Sequence, residues 1–92
     1  MVKFYLKVKD CGEGMFSRER ILKTKDYHGN TLEGFFDIDN IMNGKLKVIL
    51  AKDYGKSVSV ITPQYFIGQG NIIEVNKKEA YDIWGNSLIK RT

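Results

Sequence analysis

The chain of 92 residues holds one cysteine, one proline and one histidine. With Cys11 alone, no disulfide can close within the chain and no cysteine-based zinc cluster can form. A reducing, cytoplasmic setting is the natural expectation. Long apolar runs are missing too. A bilayer crossing needs roughly 20 consecutive apolar residues, whereas the first ten residues already interleave Lys3, Lys7 and Lys9 with Val2, Phe4, Leu6 and Val8. Neither a signal peptide nor a membrane span is expected. His28 is the lone imidazole, so a thiol nucleophile with its base would require Cys11 and His28 to meet in space, oriented by a third group. His28 falls among turn residues, where an exposed polar side chain is ordinary, and the chain is not expected to be an enzyme.

Cofactor motifs fail on inspection. Gly12-Glu13-Gly14-Met15-Phe16-Ser17 approaches a dinucleotide fingerprint, but Ser17 stands where the third glycine belongs and no βαβ pattern surrounds it. Asp37-Ile38-Asp39-Asn40 opens like a calcium loop, yet Ile41 and Met42 occupy a ligand position and the turn glycine, and Val48 replaces the final glutamate. Asp37 and Asp39 are two apart and could share a strand face, but solvated carboxylates are far commoner than acid–base pairs. No cofactor and no metal are expected.

What the sequence does contain is β patterning. Val2, Phe4, Leu6 and Val8 alternate with Lys3, Tyr5, Lys7 and Lys9, which predicts a strand with one apolar face and one basic, aromatic face. Asp10 to Phe16, with two glycines and two acids, reads as a connection. Glu19 to Thr24 is read as a strand despite its good helix formers, because Asp26-Tyr27-His28-Gly29-Asn30 supplies a hairpin turn after it. Thr31 to Ile38 alternates again, with Leu32, Phe36 and Ile38 on one face. After the Asn43-Gly44 turn, Lys45 to Lys52 points Leu46, Val48 and Leu50 inward. Asp53-Tyr54-Gly55 then turns the chain into Ser57 to Thr62, which Pro63 should end because it cannot donate to a ladder. Asn71 to Val75 is the last strand. Asn76 with Glu79 resembles a capping box, which predicts a short helix or turn over Lys77 to Trp84, ending at Gly85.

Six short strands joined by tight turns predict a mostly-β domain, a small antiparallel barrel or sandwich. An SH3-like barrel is the first choice and an oligonucleotide-binding (OB) type barrel the second, since residues 39 to 44 are too few for the helix an OB barrel carries. The expected domain spans residues 1–85, with 86–92 as a tail. A hydrophobic share of 42% and a charged share of 28% are those of a globular chain, which excludes a disordered one.

Charge is unevenly placed. Residues 1–25 carry +4, residues 26–44 carry −4, residues 45–62 carry +3 and residues 63–92 carry +1, which sums to the net +4. Two candidate surfaces emerge. The first is the outer face of the first strand, Lys3, Tyr5, Lys7 and Lys9, with Arg18 and Arg20 as additions, where lysines would neutralise phosphates beside a stacking ring. The second is the segment around Tyr65 and Phe66, whose rings must diverge if the backbone is extended, one plugging the core and one exposed beside Gln64, Gln69 and Asn71. The leading expectation is a non-catalytic module that binds a protein partner or its own copy. The alternative is a nucleic-acid-binding small barrel. Lysines guarding a sheet edge would explain the basic face without any ligand, so continuity of the Lys3 face with Arg18, Arg20 and Lys45 separates a binding face from a solvated one, a scattered arrangement favouring the solvated one.

Overall fold

The alternation at the start of the chain builds β1 (Lys3–Lys7), with Phe4 and Leu6 buried. In the computed structural model, which describes residues 3–82 and 85–87 and gives Lys3 by its backbone alone, the chain then kinks at Val8 and continues as β2 (Lys9–Glu13). The segment from Asp10 to Glu13 is therefore a strand and not a connection. It pairs with β3 (Glu19–Lys25), and the register slips between Asp10 and Glu13. Gly12, at φ 119°, adopts there a backbone conformation that a side chain would resist. Glycine bends this strand instead of ending it.

β3 is extended along its whole length because β4 (Thr31–Asp37) pairs with all seven of its residues, burying Leu22 completely. Tertiary pairing outweighs the local helix formers. The connecting turn is held by the Asp26 carboxylate, which accepts from the Asn30 and His28 backbone N–H groups at 2.8 and 3.0 Å. After β4 a single 3-10 turn (Ile38–Asn40) is capped by Asp37, whose side chain accepts from the Asp39 N–H. That turn carries Ile38 out of the strand, so it is exposed and does not join Leu32 and Phe36 in the core. Asn43 and Gly44, at φ 53° and 75°, make the expected tight turn between β5 (Ile41–Met42) and β6 (Lys45–Asp53).

β7 (Ser57–Phe66) runs straight past Pro63, the residue expected to end it. The pairing of β7 with β8 (Gly70–Asn76) is interrupted between Ile61 and Phe66, so the missing N–H falls in a stretch that owes nothing to the ladder. Side chains stitch that stretch instead. The Thr62 hydroxyl donates to the Gln64 carbonyl at 2.6 Å, and the Gln64 side-chain oxygen accepts from the Asp37 N–H at 2.8 Å. Asn76 caps as expected, accepting from the Lys78 N–H, but the chain continues as one 3-10 turn (Lys77–Glu79) and then β9 (Ala80–Tyr81). Of the short helix or turn expected from Lys77, the turn forms at Lys77–Glu79, and a strand follows instead of a helix because Ala80 is fully buried opposite Leu6 of β1. Trp84 at that helix's far end, Val2 of the first strand and residues 88–92 of the tail lie outside the described residues. The Asn86 carbonyl accepts from the Asp82 N–H at 2.9 Å, and Ser87 bridges Tyr81.

The strands are antiparallel in the order β2-β3-β4-β7-β6-β1-β9, with β5 beside β6 and β8 beside β7. Because β1 and β2 are two halves of one bent segment, the sheet curls into a half-barrel around a single apolar cluster. At its centre the Phe36 and Phe66 rings meet at 4.9 Å, tilted by 57°. No helix among the described residues is long and apolar enough to cross a membrane.

Candidate functional site

Residues directly opposite on neighbouring strands share a face of the sheet, so the pairing register shows which side chains gather with the basic face of β1. Tyr5 stands opposite Lys47 of β6 and Tyr81 of β9, Lys7 opposite Lys45 of β6, and Lys9 opposite Lys23 of β3. Lys3 stands opposite Ile49, and its side chain lies outside what is described. The basic face therefore runs on into Lys45 and reaches Lys23 and Lys25, which the alternation along β3 places on one side.

The kink at Val8 hollows this surface. The Val8 N–H donates to the Gly44 carbonyl at 3.3 Å, and the Lys7 carbonyl accepts from the Thr24 hydroxyl at 3.3 Å, which draws three strands around the bend. A depression of about 270 Å³ opens there, lined by Lys7, Lys9, Lys23 and Lys25 with Val8, Thr24 and Glu79. A second hollow shares Lys7 and Val8 and extends to Asn43, Gly44, Lys45 and Tyr81. The Lys45 ammonium sits 4.9 Å above the centre of the Tyr81 ring. The two hollows meet at Lys7 and Val8, which line both, and this adjoining pair is the lysine groove.

Arg18 and Arg20 do not join it. The Arg18 guanidinium is 2.6 Å from Asp39 and 3.8 Å from Asp37, and Arg20 contacts both oxygens of Asp10 at 3.1 Å. These charges are spent within the fold. The Arg20 hydrogen bond, helped by the Gly12 N–H, holds the Asp10 carboxyl below the ordinary aspartate range. The Lys77 ammonium, 2.8 Å away, does the same for Asp53 with help from the Gly55 N–H.

The second surface is split as extended backbone requires. Phe66 is 1% exposed and Tyr65 is 69% exposed. The Gln64 side-chain oxygen is engaged by the Asp37 N–H. Phe66 pairs with Gly34, and Ile67 donates its N–H to the Glu33 carbonyl at 2.8 Å, so Tyr65 and Ile67 flank the outer face of β4. On that face Ile21 and Phe35 form a cross-strand apolar pair beside the Lys23–Glu33 pair, whose charges are 3.3 Å apart. Phe35 also packs on Gly14, where a Cβ would lie 3.0 Å from its ring, and Met15 and Phe16 stand exposed just beyond.

Cys11 and His28 have separate surroundings. The thiol is exposed on β2, whereas His28 lies in the β3–β4 turn with its imidazole 3.5 Å from Glu74. Compared with protein-family models, curated proteins and solved structures, the chain has no significant match. Its chemistry must speak for itself.

Lys23, Lys25, Lys45, Lys47, Tyr81 and Phe35 belong to these surfaces but do not stand out as a set in the sequence. The signal for Lys23 and Lys25 is their period-two spacing on β3. Lys45 is a candidate neighbour of the first-strand face from its sequence, whereas Lys47 and Tyr81 have no such signal, because long-range pairing brings them to β1.

Proposed function

We propose that this domain is a non-catalytic binding module whose partner is a nucleic acid, held by its phosphates along the lysine groove. The observation that carries this reading is the pair of like-charge contacts, Lys7 opposite Lys45 and Lys9 opposite Lys23. Like charges directly opposite on neighbouring strands destabilise a sheet. Edge protection accounts for Lys9, on the outermost strand β2, but not for Lys23, which is paired on both sides, nor for Lys45 on β6. Glu33, 3.3 Å from Lys23, offsets one of these charges, and the excess that remains on Lys7, Lys9 and Lys45 suits a polyanion that releases counterions on binding.

The strand neighbours also favour the second-choice barrel over the first. The bent first segment pairs with β3 through β2 and with β6 through β1, β4 meets β7, and β7 returns to β6. This closed circuit of neighbours supports an OB-type reading, in which the 3-10 turn at Ile38–Asn40 would stand where that barrel carries its helix.

The test is binding of a labelled oligonucleotide across a salt series. Four engaged lysines predict a log–log slope near −3, from about −0.7 per phosphate on a single strand. A Lys7→Glu, Lys9→Glu double variant should lose binding while keeping its fold by circular dichroism. No binding by the native protein at low salt removes the reading.

A second reading, a protein partner or a second copy of the chain, is favoured by the exposed Met15, Phe16, Tyr65 and Ile67. Sedimentation mass tests it. A monomer across the micromolar range that recovers no partner in pull-down argues against it.

A further inference from the structure

We infer that the groove takes a single-stranded stretch of nucleic acid, with its phosphates on Lys9, Lys23 and Lys25 and its bases against Phe35 and Tyr65, an assignment that rests on the phosphate reading above. Three kinds of chemistry succeed one another across the outer face of β3 and β4. The Lys9–Lys23 contact comes first, with Glu33 bound to Lys23. The Ile21–Phe35 pair lies one side-chain step further along the strands, about 7 Å at ~3.4 Å per residue. Tyr65 flanks it from β7. Beyond stands the Glu19–Asp37 pair.

That order matches a nucleotide strand laid sideways. The anionic backbone meets ammonium groups and the flat apolar base meets a ring. Tyr65 is 69% exposed and contacts no other ring among the described residues, so its face is open. A duplex buries its base faces in its own stack and would leave this ring unused, whereas a single strand offers a face from every base.

The experiment compares three probes, a 12-nucleotide oligo(dT), a duplex of the same length and inorganic polyphosphate, on the native protein and on Tyr65→Ala and Tyr65→Phe. Native protein should bind oligo(dT) more tightly than duplex. Tyr65→Ala should weaken oligo(dT) roughly five- to a hundredfold, as the loss of one stacked base does, leave polyphosphate unchanged, and be rescued by Tyr65→Phe. Tighter duplex binding, an unchanged oligo(dT) affinity in Tyr65→Ala, or an equal loss for polyphosphate overturns the inference and leaves the groove reading standing. A fall in sedimentation mass on Tyr65→Ala without loss of oligo(dT) also overturns it, in favour of self-association. If the native protein binds none of the three at low salt, both readings fail together.

Discussion

Lys9 and Lys23 face each other directly across the antiparallel pair β2–β3, and Glu33 on the far side of Lys23 lies 3.3 Å from the Lys23 ammonium alone. The contact sets stability against function. Lys9→Glu replaces a repulsive cross-strand contact by an attractive one, and should raise stability by about 0.2–1 kcal/mol. The gain should shrink at high salt, where surface charges are screened. The same variant should bind oligonucleotide more weakly. Urea denaturation at low and high salt, run beside a binding titration, checks both halves.

Gly34 is the close-approach point between β4 and β7. A Cβ there would lie 2.8 Å from the Phe36 ring and 3.0 Å from the Tyr65 carbonyl oxygen. The carbonyl belongs to the backbone and cannot swing aside, so Gly34→Ala must push the strands apart. Overpacking of this kind costs about 1–3 kcal/mol. A lower denaturation midpoint with an unchanged m-value is the expected result.

Neighbouring aromatic residues should respond oppositely to truncation. Phe66→Ala opens a hole against Phe36 and should cost about 3–5 kcal/mol. Tyr65→Ala removes an exposed ring and should stay within about 0.5 kcal/mol of the native stability. Thermal melts of the two variants side by side make the comparison.

Acid should loosen the fold through Asp10 and Asp53. Both carboxyls titrate below the ordinary aspartate range in the folded protein, Asp10 through Arg20 and Asp53 through Lys77. A depressed folded-state value contributes stability above the unfolded value, and that contribution is lost as pH falls through the folded one. The melting temperature of the native protein should therefore drop below about pH 4. Asp10→Asn and Asp53→Asn should melt lower than native at pH 7 and show a shallower fall in acid.

Local chemistry decided much of this protein in advance. Alternation set the inward faces of β1, β4, β6 and β7, so Leu6, Phe36, Val48 and Val60 are buried where the pattern puts them. Asn43-Gly44 and Gly29 set the turns, because each turn needs a positive φ that few residues tolerate. Adjacent Tyr65 and Phe66 had to part on an extended backbone. Tertiary structure decided whatever depends on which strands meet. Gly12 and Pro63, read locally as interruptions, sit inside β2 and β7 because pairing elsewhere along each strand sustains it through a bulge. Ala80 joins a strand because Leu6 offers it a buried place. The basic face was legible on β1, but its continuation to Lys23, Lys25 and Lys45, and the loss of Arg18 and Arg20 to Asp39 and Asp10, were not. Period-two spacing dictates which way a side chain points, while contacts between distant strands arise only when the chain closes on one core, so the groove exists in the fold and not in any single segment.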